Sequence, residues 1–344
     1  MSLPPVEIPL GAMRFNSDSQ KLEYFNGDIW MQVHTFTHHL AQSGEALGTR
    51  GLWMGGANWS ASSPYNTAVI DAVSLASQGN AFDFGDNTSA RRNAGQCANN
   101  TRALLAGGYT SARVNTIDYI TVSSTGDATD FGDRTTIGQA CAGVSNNTRG
   151  IWAGANTPSA TNIIDYISIA STGNAADFGD CTHTNNNEGS FGSPTRGIIG
   201  PNGPDGAVSY ITIATTGNAA EFIDFNRGRI EVPASGSNST RGIFAAGESQ
   251  PGGTYTSGIS IHTITTLGAF QDFGDCTSVR SGLGGASSST RLVMAGGANP
   301  SAPSGYNTIE YVTFATTGDA VDFGDLTAVK HSYNGCSNGH GGLG

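Results

Sequence analysis

The sequence has little charge and no long apolar run. Charged residues make up 12% of the 344 residues, and no lysine- or arginine-rich block occurs, so a nucleic-acid partner is not expected. No stretch approaches the roughly 20 consecutive apolar residues of a membrane-spanning helix, which excludes insertion by that route. Helical periodicity is absent as well. What is left is an all-β protein whose formal charge of −11 suits contact with neutral partners such as sugars or other proteins.

Cysteine and histidine are sparse and lack metal-binding spacings. The five cysteines are odd in number and widely spaced, no CxxC pair is present, and the seven histidines form no HxH or HExxH pattern. We therefore expect no metal, no cofactor and no disulfide framework, and we interpret the cysteines as small buried apolar side chains. Residues 1–10, MSLPPVEIPL, show no signal-peptide pattern. We expect them to form an extended arm that docks on another protein or lies along its own fold.

The sequence is rich in glycine and contains a repeated phrase. The phrase STGNAADFGD or a variant of it occurs six times, with its first glycine at Gly79, Gly126, Gly173, Gly217, Gly268 and Gly318. Successive copies lie 44–51 residues apart, a period typical of arrays of supersecondary units. A phrase that is present six times is more typical of a scaffold than of a catalytic site.

Each copy of the repeat predicts four short antiparallel strands, which we name a, b, c and d. In the sixth copy, SVRSGLGGASSS predicts strand a, TRLVMAGG strand b, NTIEYVTFATTG strand c and DAVDFGD strand d. Apolar and polar residues alternate in YVTFA, as in a half-buried strand, and glycine-rich turns separate the strands. Four strands in about 47 residues are the size of one β-propeller blade, and closing the array into a ring protects the sheet edges.

Both termini bear on the number of blades. Strands b, c and d occur six times, whereas strand a occurs once more, in AVKHSYNGCSNG near the C-terminus. The N-terminal segment GAMRFNSDSQKLEYFNGDIWMQV predicts three further strands, with turns at SDSQ and NGD. We therefore predict a single propeller of seven four-stranded blades over residues 11–344, in which residues 11–33 and 327–344 together form the closing blade. The alternative is six blades with the N-terminal hairpin as a separate module.

The repeat resembles a kelch blade over nearly the whole chain. A glycine pair closes strand b in the MGG and AGG sequences that begin at Met54, Ala106 and Ala295. An aromatic residue follows in strand c at Tyr119, Tyr166, Tyr210 and Tyr311. The kelch tryptophan after strand c is missing, and we expect the DFGD phenylalanines to take its packing place. The resemblance implies kelch-like propeller blades.

A second resemblance concerns the N-terminal segment. Its residues Glu23, Tyr24, Gly27 and Trp30 match an E-Y-x-x-G-x-x-W hairpin common in virion proteins of tailed bacteriophages, and the repeats resemble those of structural proteins of marine bacteriophages. This implies a non-enzymatic virion protein, a propeller appendage of a tail, fibre or capsid that serves particle assembly or host attachment, with other virion proteins as partners. The alternative is a glycan-binding receptor-recognition module of a phage tail or fibre, whose ligand is a host-surface glycan.

Two residues of the repeat are interpreted as structural. The arginines of the recurring TR pair are expected to bond to a carboxylate or a backbone carbonyl between blades, and the last aspartate of DFGD is a candidate partner. A kinase-like role for DFG is excluded because no glycine-rich loop or HRD segment accompanies it. The arginines are Arg50, Arg102, Arg149, Arg196, Arg241 and Arg291, and the aspartates are Asp86, Asp133, Asp180, Asp275 and Asp325.

Departures from the repeat are better functional candidates. The b–c loops vary most and carry five aromatic residues that either stack on sugar rings or only pack: Trp59, Tyr65, Tyr109, Tyr255 and Tyr306. Basic residues near the start of strand a are candidates to line a channel mouth and attract an anion or a carboxylated sugar. The alternative is that they are solvated strand ends or partners of nearby aspartates. These residues are His39, Arg92, Arg280 and His331. In the fourth repeat, EFIDFNRGRIEVP replaces the DFGD context and is a candidate contact with a neighbouring subunit.

Overall fold

The protein consists of β-strands in two compact units. The structure is a computed structural model that describes residues 8–16, 21–32, 49–59, 65–186, 189–201, 206–228 and 230–343. One unit is Met1–Gly44 and the other is Glu45–Gly344. No α-helix occurs in the described residues, and so none is present there that could span a membrane.

The N-terminal unit contains a small antiparallel sheet. Its strands are β1 (Met13–Asn16), β2 (Lys21–Phe25) and β3 (Trp30–Gln32), in that order across the sheet. Asn26 closes the β2–β3 turn, because its Oδ1 accepts hydrogen bonds from the backbone N–H groups of Asp28 (3.0 Å) and Ile29 (2.9 Å). The three predicted strands and the NGD turn are confirmed. The SDSQ turn and residues 1–7 of the arm lie outside the described residues.

The second unit contains six four-stranded antiparallel sheets, which we number by the order of their b strands. Sheet 1 consists of β4 (Arg50–Met54), β5 (Val69–Ser74), β6 (Phe82–Asp86) and the last strand of the chain, β30 (Cys336–Ser337). Sheet 2 consists of β7 (Gly95–Ala98), β8 (Arg102–Ala106), β9 (Thr116–Thr121) and β10 (Thr129–Asp133). Sheet 3 consists of β11 (Ala142–Ser145), β12 (Arg149–Asn156), β13 (Ala160–Ser168) and β14 (Ala176–Asn185).

The second half of this unit also holds a small extra sheet. Sheet 4 consists of β15 (Gly189–Gly192), β16 (Arg196–Gly200), β17 (Ser209–Thr212) and β18 (Ala220–Glu221). The extra three-stranded sheet consists of β19 (Ile230–Glu231), β22 (Glu248–Ser249) and β23 (Thr254–Tyr255). Sheet 5 consists of β20 (Ala234–Ser237), β21 (Arg241–Ala245), β24 (Gly258–Thr263) and β25 (Gln271–Asp275). Sheet 6 consists of β26 (Ser281–Ser287), β27 (Arg291–Ala298), β28 (Tyr306–Thr313) and β29 (Val321–Lys330), and a 3-10 turn follows at Gly341–Leu343.

The all-β class and the four antiparallel strands per repeat are confirmed. Strand b of sheet 2 is buried on both faces, as Ala103–Ala106 of β8 show, because this sheet packs between two neighbours. Strand c alternates between buried and less buried positions, and strand d is the most exposed strand of its sheet. All five cysteines are buried and free, in agreement with the interpretation that they are apolar packing residues. The arrangement is consistent with a β-propeller-like fold.

The a strands contact one another, which explains their small residues. The contacts run from β7 through β11, β15, β20 and β26 to β30, and β30 also contacts β7. A Cβ atom added at Gly143 would lie 2.3 Å from the carbonyl oxygen of Gln96 on the neighbouring a strand, so only glycine fits there. Serine hydroxyls form hydrogen bonds between adjacent a strands. Ser145 Oγ donates to the backbone carbonyl of Ala98 at 2.7 Å, and Ser237 Oγ donates to the backbone carbonyl of Gly192 at 2.7 Å.

The C-terminal strand does not join the N-terminal sheet. β30 pairs with β4, with Cys336 opposite Leu52 and Ser337 opposite Gly51. The prediction that residues 11–33 and 327–344 together form one blade is therefore wrong. The seventh copy of strand a instead completes the first repeat, whose own candidate strand a, residues 37–48, lies outside the described residues.

The two halves of the repeated phrase join adjacent sheets. The backbone N–H of Gly173 in sheet 3 donates to the carbonyl of Phe131 in sheet 2 at 2.8 Å, and that of Ala175 donates to Asp133 at 2.8 Å. In return, the Asp133 N–H donates to Asn174 Oδ1 at 3.0 Å. We call this set of three hydrogen bonds the clasp. It recurs at five junctions between sheets, with the glycine pairs Gly85 and Gly126, Gly132 and Gly173, Gly179 and Gly217, Gly274 and Gly318, and Gly324 and Gly79.

The TR arginines form a second regular contact between sheets. Arg102 Nη1 donates to the carbonyl of Ile169 in the next sheet at 2.7 Å, and Arg149 Nη1 to that of Ile213 at 2.9 Å. A backbone carbonyl of another sheet is thus the partner, which is one of the two kinds expected. The DFGD aspartates, also proposed as partners, form no ion pair with these arginines in the described part of the chain. The remaining four contacts are Arg50 to Val122, Arg196 to Ile264, Arg241 to Phe314 and Arg291 to Leu75.

Candidate ligand-binding surface on the b–c loops

Two of the five loop aromatics are exposed and belong to one loop of sheet 1. Trp59 is 52% exposed and Tyr65 is 46% exposed. The backbone N–H of Asn58 donates to the carbonyl of Tyr65 at 2.8 Å, which holds the two ends of the loop together. The edge of the Trp59 ring meets His331, with ring centroids 4.4 Å apart and planes at 82°. The indole is therefore held in place while about half of its surface stays open to solvent.

A guanidinium group lies beside this loop. Arg92 Nη1 donates to Asn66 Oδ1 at 2.8 Å, and the guanidinium carbon lies 4.7 Å from the centre of the Tyr109 ring. Asn66 in turn donates to the backbone carbonyls of Tyr109 (2.8 Å) and Thr110 (2.9 Å). Arg92 has no carboxylate partner among the described residues. Its positive charge is thus oriented by an amide and a ring and remains available to a ligand anion.

His331 connects the two groups. The His331 backbone N–H donates to the carbonyl of Ala57 at 3.0 Å, and the Ala57 N–H donates to the carbonyl of His331 at 2.9 Å. The Nδ1 atom of His331 lies 2.6 Å from Ser332 Oγ. Burial, and then the positive charge of Arg92, lower the pKa of His331 from 6.5 to about 4. The imidazole is therefore neutral at pH 7, and Arg92 supplies the positive charge of this surface. We call Trp59, Tyr65, Asn66, Arg92, Tyr109 and His331 the loop cluster.

The other predicted aromatics do not belong to the loop cluster. Tyr306 is half-buried in β28, where its hydroxyl accepts a hydrogen bond from Asn299 Nδ2 at 3.0 Å. Tyr255 is half-buried in β23 of the extra sheet. Tyr306 thus has the packing role that was left open as the alternative, and the loop cluster contains the other three predicted aromatics, Trp59, Tyr65 and Tyr109.

The predicted basic residues divide in the same way. Arg280 is fully buried and forms an ion pair with Glu310, so its proposed place at a channel mouth is wrong. Its partner is a glutamate of strand c and not the nearby aspartate of the alternative. His39 lies outside the described residues. Arg92 and His331 contribute to the loop cluster.

Sequence reasoning missed a set of buried acids on strand c. Asp118 pairs with Arg91 at 3.0 Å and Asp165 with Arg134 at 3.1 Å, and all four side chains are completely buried. Asp71 with Lys330 and Glu310 with Arg280 are the equivalent pairs of sheets 1 and 6. A threonine just after DFGD adds a hydrogen bond to each acid, as Thr135 Oγ1 does to Asp165 at 2.9 Å. The signal was an acidic residue recurring inside an otherwise apolar strand, as in TIDYI.

The fourth repeat departs from the clasp on both sides of its junction with sheet 5. Ile223 stands where the other repeats have the DFGD glycine, and Ala269 stands where they have the Asn or Asp acceptor. A group of aromatic residues fills this junction instead, including Phe225, Phe244 and Phe270, with ring centroids 4.9–5.8 Å apart. The unusual sequence of this repeat thus has a packing role between sheets, which leaves its proposed contact with a neighbouring subunit as a prediction.

The comparisons with known proteins identify no family. No protein-family model matches the chain, and no curated protein shows significant similarity to it. Within the residues that the structure describes, no group of three or more His, Cys, Asp or Glu side chains is placed to hold a metal ion. The loop cluster and the architecture are therefore the features of this protein that bear on its function.

Proposed function

We propose that the six sheets form a closed six-bladed, kelch-like propeller. Three contacts between the last and first repeats support closure. β30 pairs with β4, the Gly79 N–H donates to the carbonyl of Phe323 at 2.9 Å, and Arg291 Nη1 donates to that of Leu75 at 3.4 Å. The Gly79 and Arg291 contacts are of the same two kinds that join the other sheets, so the first and last repeats meet as ordinary neighbours.

We propose further that this propeller is a non-enzymatic virion protein, an appendage that attaches a bacteriophage particle to its host by binding a surface glycan. The single observation that carries the attachment role is the loop cluster. It combines exposed aromatic rings, which stack on sugar rings, with one oriented cation, which suits a carboxylated sugar. The phage context depends on the resemblance of the N-terminal hairpin and the repeats to virion proteins.

Glycan binding is tested with purified protein on immobilised host glycans and whole cells. Trp59→Ala removes the exposed ring and Arg92→Met removes the charge, and each is expected to weaken binding about tenfold, which corresponds to ~1.4 kcal/mol. Val321→Ala is the matched control, since Val321 is equally exposed (53%) but lies in β29 outside the loop cluster. Unchanged glycan binding in both cluster variants would contradict the attachment role.

Particle assembly is the second candidate function, and a feature of the N-terminal unit favours it. Met13, Phe15, Leu22, Tyr24 and Met31 share one face of its sheet by strand register, and they are 39–67% exposed. A contiguous exposed apolar face is typical of a protein–protein contact. Phe15→Ser with Met13→Ser is expected to abolish incorporation into particles while glycan binding by the free protein persists. Normal copy number in imaged particles would refute this candidate.

A further inference from the structure

Four of the six sheets cover their TR arginine with a tyrosine from strand c. The guanidinium carbon lies 4.6–5.1 Å from the ring centre in the pairs Arg102 with Tyr119, Arg149 with Tyr166, Arg196 with Tyr210, and Arg291 with Tyr311. Each tyrosine also meets the DFGD phenylalanine of its own sheet edge to face, at centroid distances of 5.7–6.0 Å. A phenol ring between a guanidinium and a phenylalanine is therefore a regular element of this fold.

Sheets 1 and 5 lack this ring. In sheet 1, Ala72 occupies the tyrosine position, and the Arg50 guanidinium carbon lies directly over the Phe84 ring, 5.8 Å from its centre.

Sheet 5 differs from sheet 1 as well. Ile261 occupies the tyrosine position, so the guanidinium of Arg241 and the ring of Phe273 have no phenol between them. Arg241 still donates to the carbonyl of Phe314 at 2.8 Å, as the other TR arginines do to their carbonyls. The scaffold around the missing ring is thus retained.

A cavity lies at this position. Its volume is about 450 Å³, and its lining includes Arg241, Ile261, His262, Gln271, Phe273 and Thr317. A volume of roughly 300–1,000 Å³ is typical of small-molecule sites. Since Ile261 and Phe273 are nearly completely buried, they provide an apolar floor, whereas Arg241 is exposed at the rim.

The polar residues of the lining differ in what they contact. His262 is 3% exposed, and its ring packs against Phe222 and Phe270 on the face of β24 opposite Ile261, with its Nε2 in contact with the carbonyl of Gly268. Arg241 has no carboxylate partner in the described part of the chain, and it has no covering ring there either. An uncovered guanidinium at the rim of an apolar cavity favours a ligand with a π face, and the guanidinium and the Gln271 amide of the lining suit an oxygen substituent.

We propose that this cavity between sheets 5 and 6 binds a small molecule with a phenolic ring. The ring stacks on the Arg241 guanidinium and against Phe273, in the place that the tyrosine occupies in four sister sheets. Its oxygen substituents reach the polar part of the lining. This site is independent of the loop cluster and therefore of the proposed glycan binding.

The test uses p-cresol, the side chain of tyrosine, as the probe. Titration calorimetry and thermal unfolding of the full chain are expected to show binding. At ten times the dissociation constant, p-cresol shifts the unfolding equilibrium about elevenfold toward the folded state. 4-Methylcyclohexanol, which has a similar shape but no π face, is expected to bind more weakly. Equal binding of the two probes would contradict the stacking on Arg241.

Variants locate the site. Ile261→Tyr supplies the missing ring from within the chain and is expected to abolish p-cresol binding, whereas Arg241→Met weakens it roughly threefold to tenfold by removing the cation. Tyr119→Ile removes the ring from sheet 2 and is expected to create a second site there. The proposal is overturned if p-cresol does not bind the wild type, or if it binds both Arg241→Met and Ile261→Tyr as tightly. If Ile261→Tyr does not fold, the proposal is tested by the other two variants, through weaker p-cresol binding in Arg241→Met and a second p-cresol site in Tyr119→Ile.

Discussion

Substituting the two glycines of one clasp separates steric conflict from backbone strain. Gly132 and Gly173 face each other across the junction of sheets 2 and 3, with φ angles of +145° and +153°. A Cβ atom added at Gly132 would lie 2.5 Å from the carbonyl oxygen of Gly173, whereas a Cβ at Gly173 would meet nothing within 4 Å. Both substitutions strain the backbone, but only the first obstructs the clasp.

The expected losses of unfolding free energy follow from this difference. Gly173→Ala costs only the strain of an unfavourable φ, about 1–3 kcal/mol. Gly132→Ala adds the loss of the clasp, whose three hydrogen bonds contribute about 1 kcal/mol each, for a total of about 4–6 kcal/mol. Urea unfolding followed by tryptophan fluorescence measures both, since Trp53 and Trp152 are completely buried.

Ile223→Gly is the matched control for this pair. It introduces a glycine at the equivalent position of sheet 4, where Ala269 offers no acceptor, and it is expected to leave the clasp unformed. If Gly132→Ala and Gly173→Ala were destabilised equally, the claim that the clasp requires contact without a side chain would be refuted.

Two further predictions concern buried charges. Asp165→Ala leaves the Arg134 guanidinium unpaired and is expected to lower the free energy of unfolding by about 3–5 kcal/mol. Replacing both partners, with Arg134→Met and Asp165→Leu, is expected to restore most of that free energy. If the double variant unfolded in urea as easily as the single one, the unpaired charge would not be the cause of the loss. The unfolded chain protonates His331 near its ordinary pKa of 6.5 but the folded chain only near 4, so stability is full above pH 6.5 and falls as the pH drops toward 4. At pH 5 the free energy of unfolding is about 2 kcal/mol lower than above pH 6.5. His331→Gln is expected to remove this part of the pH dependence of the urea midpoint. If the midpoint of that variant depended on pH as it does in the wild type, the imidazole would not be neutral and buried.

The strands of the repeat were predictable because their signals are local. Alternation in strand c, small residues in strand a and glycine-rich turns all act over a few residues, and the structure has the four strands where these signals place them. The interpretation of DFGD as scaffold depended on its repetition alone. The identity of its partner did not follow, because the STG phrase that meets it lies on the next sheet, about 40 residues along the chain, as Gly173 does for Gly132.

The loop cluster was predictable only in part. Trp59, Tyr65 and Tyr109 could be recognised as aromatic residues in variable loops. That Arg92 and His331 join them could not be predicted, because it depends on the first, second and last repeats lying next to one another in space. His331 and Trp59 are 272 positions apart and yet their rings touch. The buried acids were missed because a charge inside a strand is read as a surface residue until its partner is known.

By itself, the sequence determined the class, the strand content and the repeated scaffold of this protein. Those properties follow from short-range periodicity and turn residues, which the linear chain displays directly. Only the tertiary structure decided that the C-terminal strand pairs with β4, that the TR arginines bond to carbonyls, and that a phenol ring is missing over Arg241. Each of these is a contact between residues far apart in the chain, and its energy depends on packing between sheets that no local pattern records.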